Sequence, residues 1–414
     1  MTTKINNEHK KLNAPNLRFP EFKGEWEKCT FDEIAQYKKG PFGSALKKDI
    51  FVPQSKTAIK VYEQQNAIKK DWTLSRYYIT KDYFDSHMKQ FVTKAGDLIV
   101  SCAGTIGEIY ELPQEAEDGV FNQALMRVRV NDKVVNKEIF ITVFSSMIDK
   151  FSKIYSNGSA IKNIPPFADL KRTQVYLPCK EEQNAITKLL RSLDERIATQ
   201  SKIIDKLQSL IKGIMVELQN QGVNKGTWKK VFLSDVLTER NERNTNLFQV
   251  FSVSVSQGVV NQVDYLGRSF AAKDTSKYNV VHYGDLVYTK SPTGSFPYGI
   301  VKQSLNLENV AVSPLYGVYK PKSIAVGAYL HEYFMSEINT HNYLHPLIQK
   351  GAKNTINITN QRFLENCVLL STNINELLQI SRLLRSLNNK IKYQQDILQQ
   401  YQKQKQYLLR QMFI

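Results

Sequence analysis

Leu189-Leu190-Arg191-Ser192-Leu193 recurs letter for letter as Leu383-Leu384-Arg385-Ser386-Leu387. Around each copy, apolar residues return every seven positions. Around the first, one column is Leu190, Ile197, Ile204, Ile211, Leu218 and the other Ile186, Leu193, Gln200, Leu207, Ile214. Around the second, the columns are Leu384, Ile391, Leu398, Lys405, Met412 and Ile380, Leu387, Gln394, Tyr401, Leu408, at a constant offset of 194. No proline interrupts 181–218. A heptad period held this long specifies two helices that pair through an apolar seam, and at ~1.5 Å per residue each is roughly 50 Å long. Gln200 and Gln394 share one heptad position near the middle of their helices. A polar residue in a seam weakens pairing but sets register. The expectation is an antiparallel coiled coil in which the two glutamines meet.

The duplication extends beyond the helices. Trp26-Glu27-Lys28-Cys29-Thr30-Phe31-Asp32-Glu33-Ile34 is answered by Trp228-Lys229-Lys230-Val231-Phe232-Leu233-Ser234-Asp235-Val236, 202 residues later. Gly96-Asp97-Leu98-Ile99 is answered by Gly284-Asp285-Leu286-Val287. Three landmarks in the same order indicate one unit written twice, a mixed segment followed by a helix. The mixed segments hold short β-rich runs at 97–101, 124–130, 285–289 and 317–319, punctuated by turns such as Gly40-Pro41-Phe42-Gly43 and Ser291-Pro292-Thr293-Gly294. The fold class is therefore α+β.

The 414 residues carry 56 Lys+Arg against 39 Asp+Glu, a formal +17. With a pI near 9.4, that balance points to a polyanionic partner. Residues 16–180 hold 25 basic and 20 acidic side chains and residues 223–371 hold 15 and 10, so each mixed segment is +5. The stretch 181–218 is neutral, and 372–414 has seven basic against two acidic. A polar N-terminus and the lack of an apolar run of ~20 residues argue against a membrane partner and for a cytoplasmic protein. Cys29, Cys102, Cys179 and Cys367 lie far apart, which fits reduced thiols rather than a disulfide framework or a zinc ribbon.

A search for catalysis finds near misses. Nothing matches a nucleotide-binding glycine loop. Asn163-Ile164-Pro165-Pro166-Phe167 approaches the Asn-Pro-Pro-aromatic motif that amino-methyltransferases close on a flipped base, but an isoleucine intervenes. His331-Glu332 starts like a zincin helix, with Met335 where the second histidine belongs. His341 and His345 have the spacing of two metal ligands without a third, and read as surface or packing histidines. Asp285 with Lys290 lacks the second acid of a nuclease. No catalytic and no metal-binding residue is assigned.

Binding chemistry remains. Lys38, Lys39, Phe42, Ser44, Lys47 and Lys48 frame one turn of the first segment. Tyr265 and Arg268, then Lys290, Thr293, Phe296 and Tyr298, mark comparable loops of the second. Lys350 and Lys353 form a third, with Ser159 and Lys162 as its counterpart in the first segment. Lysines hold phosphates without reading sequence, and side chains carried into a groove do the reading. These are the candidate DNA-contacting residues.

A duplicated globular unit with a long helix after each copy resembles the specificity subunit of type I restriction-modification enzymes. The junction Leu177-Pro178-Cys179-Lys180-Glu181-Glu182-Gln183-Asn184-Ala185-Ile186, continuing through Leu189-Leu190-Arg191-Ser192-Leu193-Asp194, looks like that family's proline–Glu-Gln–Ile–Leu pattern. The second junction, from Leu370-Ser371-Thr372-Asn373 to Ile380, lacks the proline and the Glu-Gln pair. The resemblance implies target recognition domains at 1–180 and 223–371 and helices at 181–222 and 372–414, paired antiparallel with pseudo-twofold symmetry. It also implies a bipartite, asymmetric double-stranded DNA target, two modification subunits that methylate adenine, and restriction subunits. The chain itself would hold no cofactor, while S-adenosylmethionine, ATP and Mg2+ would sit on the partners. Two other readings stay open: a methyltransferase or nuclease with a divergent active site, and a coiled-coil adaptor that does not read DNA.

Overall fold

The structure, a computed structural model, describes residues 13–155, 167–350 and 356–414, with only the backbone at 153–155, 350 and 356–357. It forms two compact units, one of residues 1–197 with 400–414 and one of 198–399. The long helices run Lys180–Asn224 and Ile374–Gln411. The changes of secondary structure thus fall near 180 and 373, whereas the compact units divide inside the helices.

In the first unit an antiparallel ribbon, Glu27–Thr30 with Gln174–Leu177, brings the start of the mixed segment beside its end. Thr30 then caps a one-turn helix reciprocally with Glu33, whose carboxylate accepts the Thr30 amide at 2.6 Å. That turn buries Phe31 and Ile34 and feeds the edge strand Ala35–Lys39. The sheet continues through Leu125–Val130, Leu98–Ser101 and Ile109–Glu111, all antiparallel. A second sheet, in the order Tyr77–Ile79, Ile59–Tyr62, Gly119–Phe121, Val92–Thr93, contains one parallel pair. Leu98, Ile99 and Val100 are all solvent-free because alternate side chains serve different cores. Leu98 and Val100 join Phe140, Phe144 and Trp26, and Ile99 joins Tyr62 and Phe121.

The second unit repeats this plan. Its ribbon is Trp228–Phe232 with Cys367–Ser371, and its sheet runs Leu237–Glu239, Gly317–Pro321, Leu286–Thr289, Ile300–Gln303. Leu286 and Tyr288 face a core with Tyr319, Tyr329 and Phe363, while Val287 faces a smaller valine cluster.

The Gly-Asp-Leu landmarks precede the central strands, and the structure shows why they match. Gly96 and Gly284 take φ +83° and +89°, where a side chain is strained. Asp97 accepts Arg129 Nε and Nη2 at 2.7 and 3.0 Å and the Lys94 amide at 3.1 Å. Asp285 accepts Arg240 Nε and Nη2 at 2.6 and 3.1 Å and the His282 amide at 2.8 Å. The arginine comes from the end of the following strand system in one unit and from the edge strand's continuation in the other.

The helices run antiparallel. In the first unit Asp194 pairs with Lys405 and Arg196 lies over the Tyr401 ring, so rising numbers on one helix meet falling numbers on the other. In the second unit Gln200 Nε2 donates to the Gln394 carbonyl at 3.1 Å and to its side-chain oxygen, the meeting that antiparallel pairing requires. Ile186, Leu190, Leu193, Gln200, Ile204, Ile211, Ile380, Leu384 and Ile391 are buried, and Ile197, Leu207, Leu387, Gln394, Leu398, Tyr401 and Leu408 half-buried. Lys405 breaks the apolar column, and its ion pair with Asp194 accounts for it.

Both junctions dock their helix on the unit before it. Gln183 Nε2 donates to the Val134 and Pro178 carbonyls at 3.0 and 2.9 Å while its oxygen accepts the Asn136 amide at 2.7 Å. Glu182 is gripped by Arg18 through two 2.7 Å bonds. At the second junction Glu376 stands 194 residues after Glu182 and accepts Trp228 Nε1 at 3.1 Å, while Thr372 stands at the proline's place and Asn373, at the place of Cys179, caps the helix. Half of the Glu-Gln device is therefore retained.

Candidate nucleic-acid interface

In the first unit the basic turn leaves the edge strand at Gly40, whose amide donates to the Leu125 carbonyl at 3.0 Å. A Cβ there would lie 2.0 Å from the Asn122 carbonyl oxygen, so only glycine permits the approach. Leu46, buried against Val61 and Ile79, and the Ala45 carbonyl, which accepts Tyr83 Oη at 2.6 Å, tie down the far side. Between these anchors Phe42 is 89% exposed, and Ser44, Lys47 and Lys48 also face solvent. Lys39 is exposed beside them. Lys38 differs: its Nζ donates to Gln90 at 2.7 Å and lies 5.1 Å from the Phe91 ring centre. The turn thus presents one bare aromatic ring among three lysines, Lys39, Lys47 and Lys48, whose side chains form no ion pair or hydrogen bond with the described residues, a surface suited to phosphate and groove contact.

In the second unit Tyr265 lies on a short helix, Gln262–Leu266, started by the Asn261 side chain and ended by Gly267 at φ +73°. Its hydroxyl accepts Ser254 Oγ at 3.1 Å. Arg268 is exposed over Phe270, 4.5 Å from the ring centre, and Phe270 is itself exposed. The sequence reading missed Phe270, although its position two residues after Arg268 was available. In the 290–298 loop, Thr293 and Phe296 close a tight turn by exchanging two 3.0 Å backbone bonds. Phe296 is 5% exposed, which corrects its reading as a contact: the ring anchors the turn from inside. Lys290 is half-buried, and burial pushes its ammonium below the usual lysine range against the pull of Glu239. Tyr298 is half-buried, with its ring 5.3 Å from that of His341 and 5.9 Å from that of His345. Ser159, Lys162 and Lys353 lie outside the described residues, and of Lys350 only the backbone is described.

Buried ionisable groups mark the interior rather than this surface. Lys60 is 1% exposed, its ammonium between the Tyr62 and Trp72 rings. Lys302, 3% exposed, is pushed down to about 8 by burial, with Glu332 opposing the shift. Among the described residues no three His, Cys, Asp or Glu come together as a metal site, and no helix is long and apolar enough to cross a membrane.

The repeated α+β unit and its long helices share their fold with solved chains from type I restriction-modification systems. The type I restriction-modification system S subunit from M. genitalium covers 97% of this chain and 99% of its own at a TM-score of 0.56 and 14% identity. A chain solved in work on complex assembly and conformational transition of the type I R-M system covers 93% and 96% at 0.51 and 13%. At such identities the likeness is one of fold. Residues 23–209, a little under half of the chain, match the type I restriction modification DNA specificity domain. The type I restriction enzyme MjaVIII specificity subunit of Methanocaldococcus jannaschii is 24% identical over 214 residues. That match spans 50% of this chain and 44% of the relative, so the chain matches less than half of that protein's length.

Proposed function

We propose that the chain is the specificity subunit of a type I restriction-modification complex, binding a bipartite, asymmetric double-stranded DNA target without catalysing a reaction itself. One observation carries the reading: an α+β unit built twice on one plan, its first copy in the stretch that matches a DNA specificity domain. The copies present different exposed chemistry, Phe42 among lysines in one and Arg268 with Phe270 in the other, which fits two unlike half-sites. Residues 1–180 and 223–371 are assigned as the target recognition domains, and 181–222 and 372–414 as the helices that set the unread spacer. Lys39, Phe42, Ser44, Lys47, Lys48, Tyr265, Arg268 and Tyr298 are the proposed contacts, joined by Ser159, Lys162, Lys350 and Lys353. Two modification subunits supply adenine methylation with S-adenosylmethionine, and restriction subunits supply ATP- and Mg2+-dependent cleavage, in the cytoplasm.

The test is methylation mapping, by long-read sequencing, of DNA from cells carrying the chain with a modification subunit. The reading expects a bipartite asymmetric motif, methylated on adenine in each half and absent when this chain is omitted. Methylation unchanged without the chain defeats it.

A further inference from the structure

The second unit carries an exposed histidine pair that the loops named above do not include. Helix Glu337–Leu344 packs on its domain through Thr340, Tyr343 and Leu344, with Thr340 Oγ1 donating to the Phe334 carbonyl at 2.8 Å. This leaves His341 on the solvent side, and His345, one turn later, is also exposed. Their rings stack at 5.1 Å and 13°, and both lean on Tyr298. Neither imidazole has a hydrogen-bond partner among the described residues. Glu337, the acid one turn before His341, is engaged by Ser295 of the tight turn. Beyond His345 the chain runs through the turn His345–Leu347, fixed by Arg362 Nε on the Leu347 carbonyl at 3.2 Å, into strand Gln349–Lys350. The three rings therefore join the 290–298 loop to the turn that leads into strand Gln349–Lys350. Burial of the other helix face explains why the rings are held, and it leaves their outward polar edges unused.

We propose that His341 and His345, supported by Tyr298, contact duplex DNA, each imidazole donating an N–H to an acceptor of the duplex. That acceptor is a phosphate oxygen or a base-edge atom such as purine N7 or guanine O6. The inference rests on the proposed DNA-reading role and adds two residues to the second reader.

The experiment uses the full chain assembled with its modification subunits and a duplex bearing the motif mapped for the wild-type complex. H341F/H345F keeps the stack on Tyr298 and removes both donors, and H341Q/H345Q restores an N–H at each position. The phenylalanine pair is expected to bind roughly tenfold or more weakly, the scale of a lost specific polar contact, and the glutamine pair to recover part of it. A uniform loss over all sequences identifies phosphate contact. A motif that loosens at one position of a single half identifies base contact. Wild-type affinity and an unchanged motif in the phenylalanine pair overturn the proposal. Failure of the wild-type complex to methylate any motif that depends on this chain instead defeats the specificity reading beneath it.

Discussion

At the residue scale, burial separates side chains that the sequence presents alike. Phe42 and Phe296 both sit in turns rich in glycine, proline and serine, yet one is 89% exposed and the other 5%. The difference lies in which anchor closes each turn, Leu46 beneath the first and the phenylalanine itself beneath the second, and such long-range packing leaves no local signal. His331 gives a sharper case. Its Nδ1 accepts the Gln303 amide at 3.0 Å, and burial, aided by the Lys302 ammonium, pushes its pKa from 6.5 to about 3. Between those values the unfolded ring is protonated and the folded one is not, so unfolding takes up a proton and acid favours it. The contribution is complete above about 6.5 and is lost as pH falls towards 3. Stability of the second unit should drop by about 2 kcal/mol from this group between pH 7 and 5. His331→Gln keeps an acceptor and should flatten that slope in urea titrations. The aspartate of the Gly-Asp-Leu landmark is a second test. Asp285 is 2% exposed and holds Arg240 by two bonds, so Asp285→Asn leaves a charge poorly compensated. A loss of about 3 kcal/mol should appear as a lower urea midpoint for this unit. A loss under about 1 kcal/mol would mean that Glu242, already 3.5 Å from Arg240, compensates the arginine on its own.

At the element scale, the helices were the most legible part of the chain, because a seven-residue period records one face against one neighbour and needs no knowledge of the rest. The same period placed Gln200 and Gln394, and antiparallel pairing brings their amides together. The pair trades stability for register. Gln200→Leu alone strands the Gln394 amide in the seam and should cost about 1–2 kcal/mol. The double change to leucine removes both polar groups and should restore or exceed wild-type stability. A double-mutant cycle by urea denaturation reads the coupling. If the two single changes add without interaction, the glutamines do not act as a pair. Register was predictable here, but the docking of each helix was only partly so. Gln183 reaches three backbone groups across the 134–136 and 178 turns, a geometry hidden in a short Glu-Gln motif. At the second junction Glu376 alone carries the device, bonded to Trp228 rather than to an arginine.

At the scale of the whole molecule, chain order and folded order differ. The duplication reads as two successive halves, but the N-terminal unit is finished by the last fifteen residues, 400–414. Met412 is 3% exposed in the core that holds Trp26, Phe140 and Leu190. Phe413 meets the Trp26 ring edge-on at 6.2 Å, and the Gln411 carbonyl accepts the Leu17 amide at 2.9 Å. No local pattern announces this, since Met412 sits in a heptad column like its predecessors and the partners of Phe413 lie near the other end of the sequence. The consequence is a truncation whose damage appears far from the cut. Deleting 400–414 removes a buried methionine, an aromatic contact and the Asp194–Lys405 ion pair from the N-terminal unit. Loss of the methionine from that core alone costs about 2–5 kcal/mol. Limited proteolysis of the truncated chain should therefore cut first within 13–197, although every residue removed belongs to the second repeat. Point variants separate this packing effect from general loss of the helix. Met412→Ala and Phe413→Ala should each lower the stability of the N-terminal unit and leave the 198–399 unit unchanged, as read by hydrogen exchange resolved along the chain. Protection lost instead from 198–399, with 13–197 unaffected, would show that the C-terminal residues serve the second repeat to which they belong in sequence.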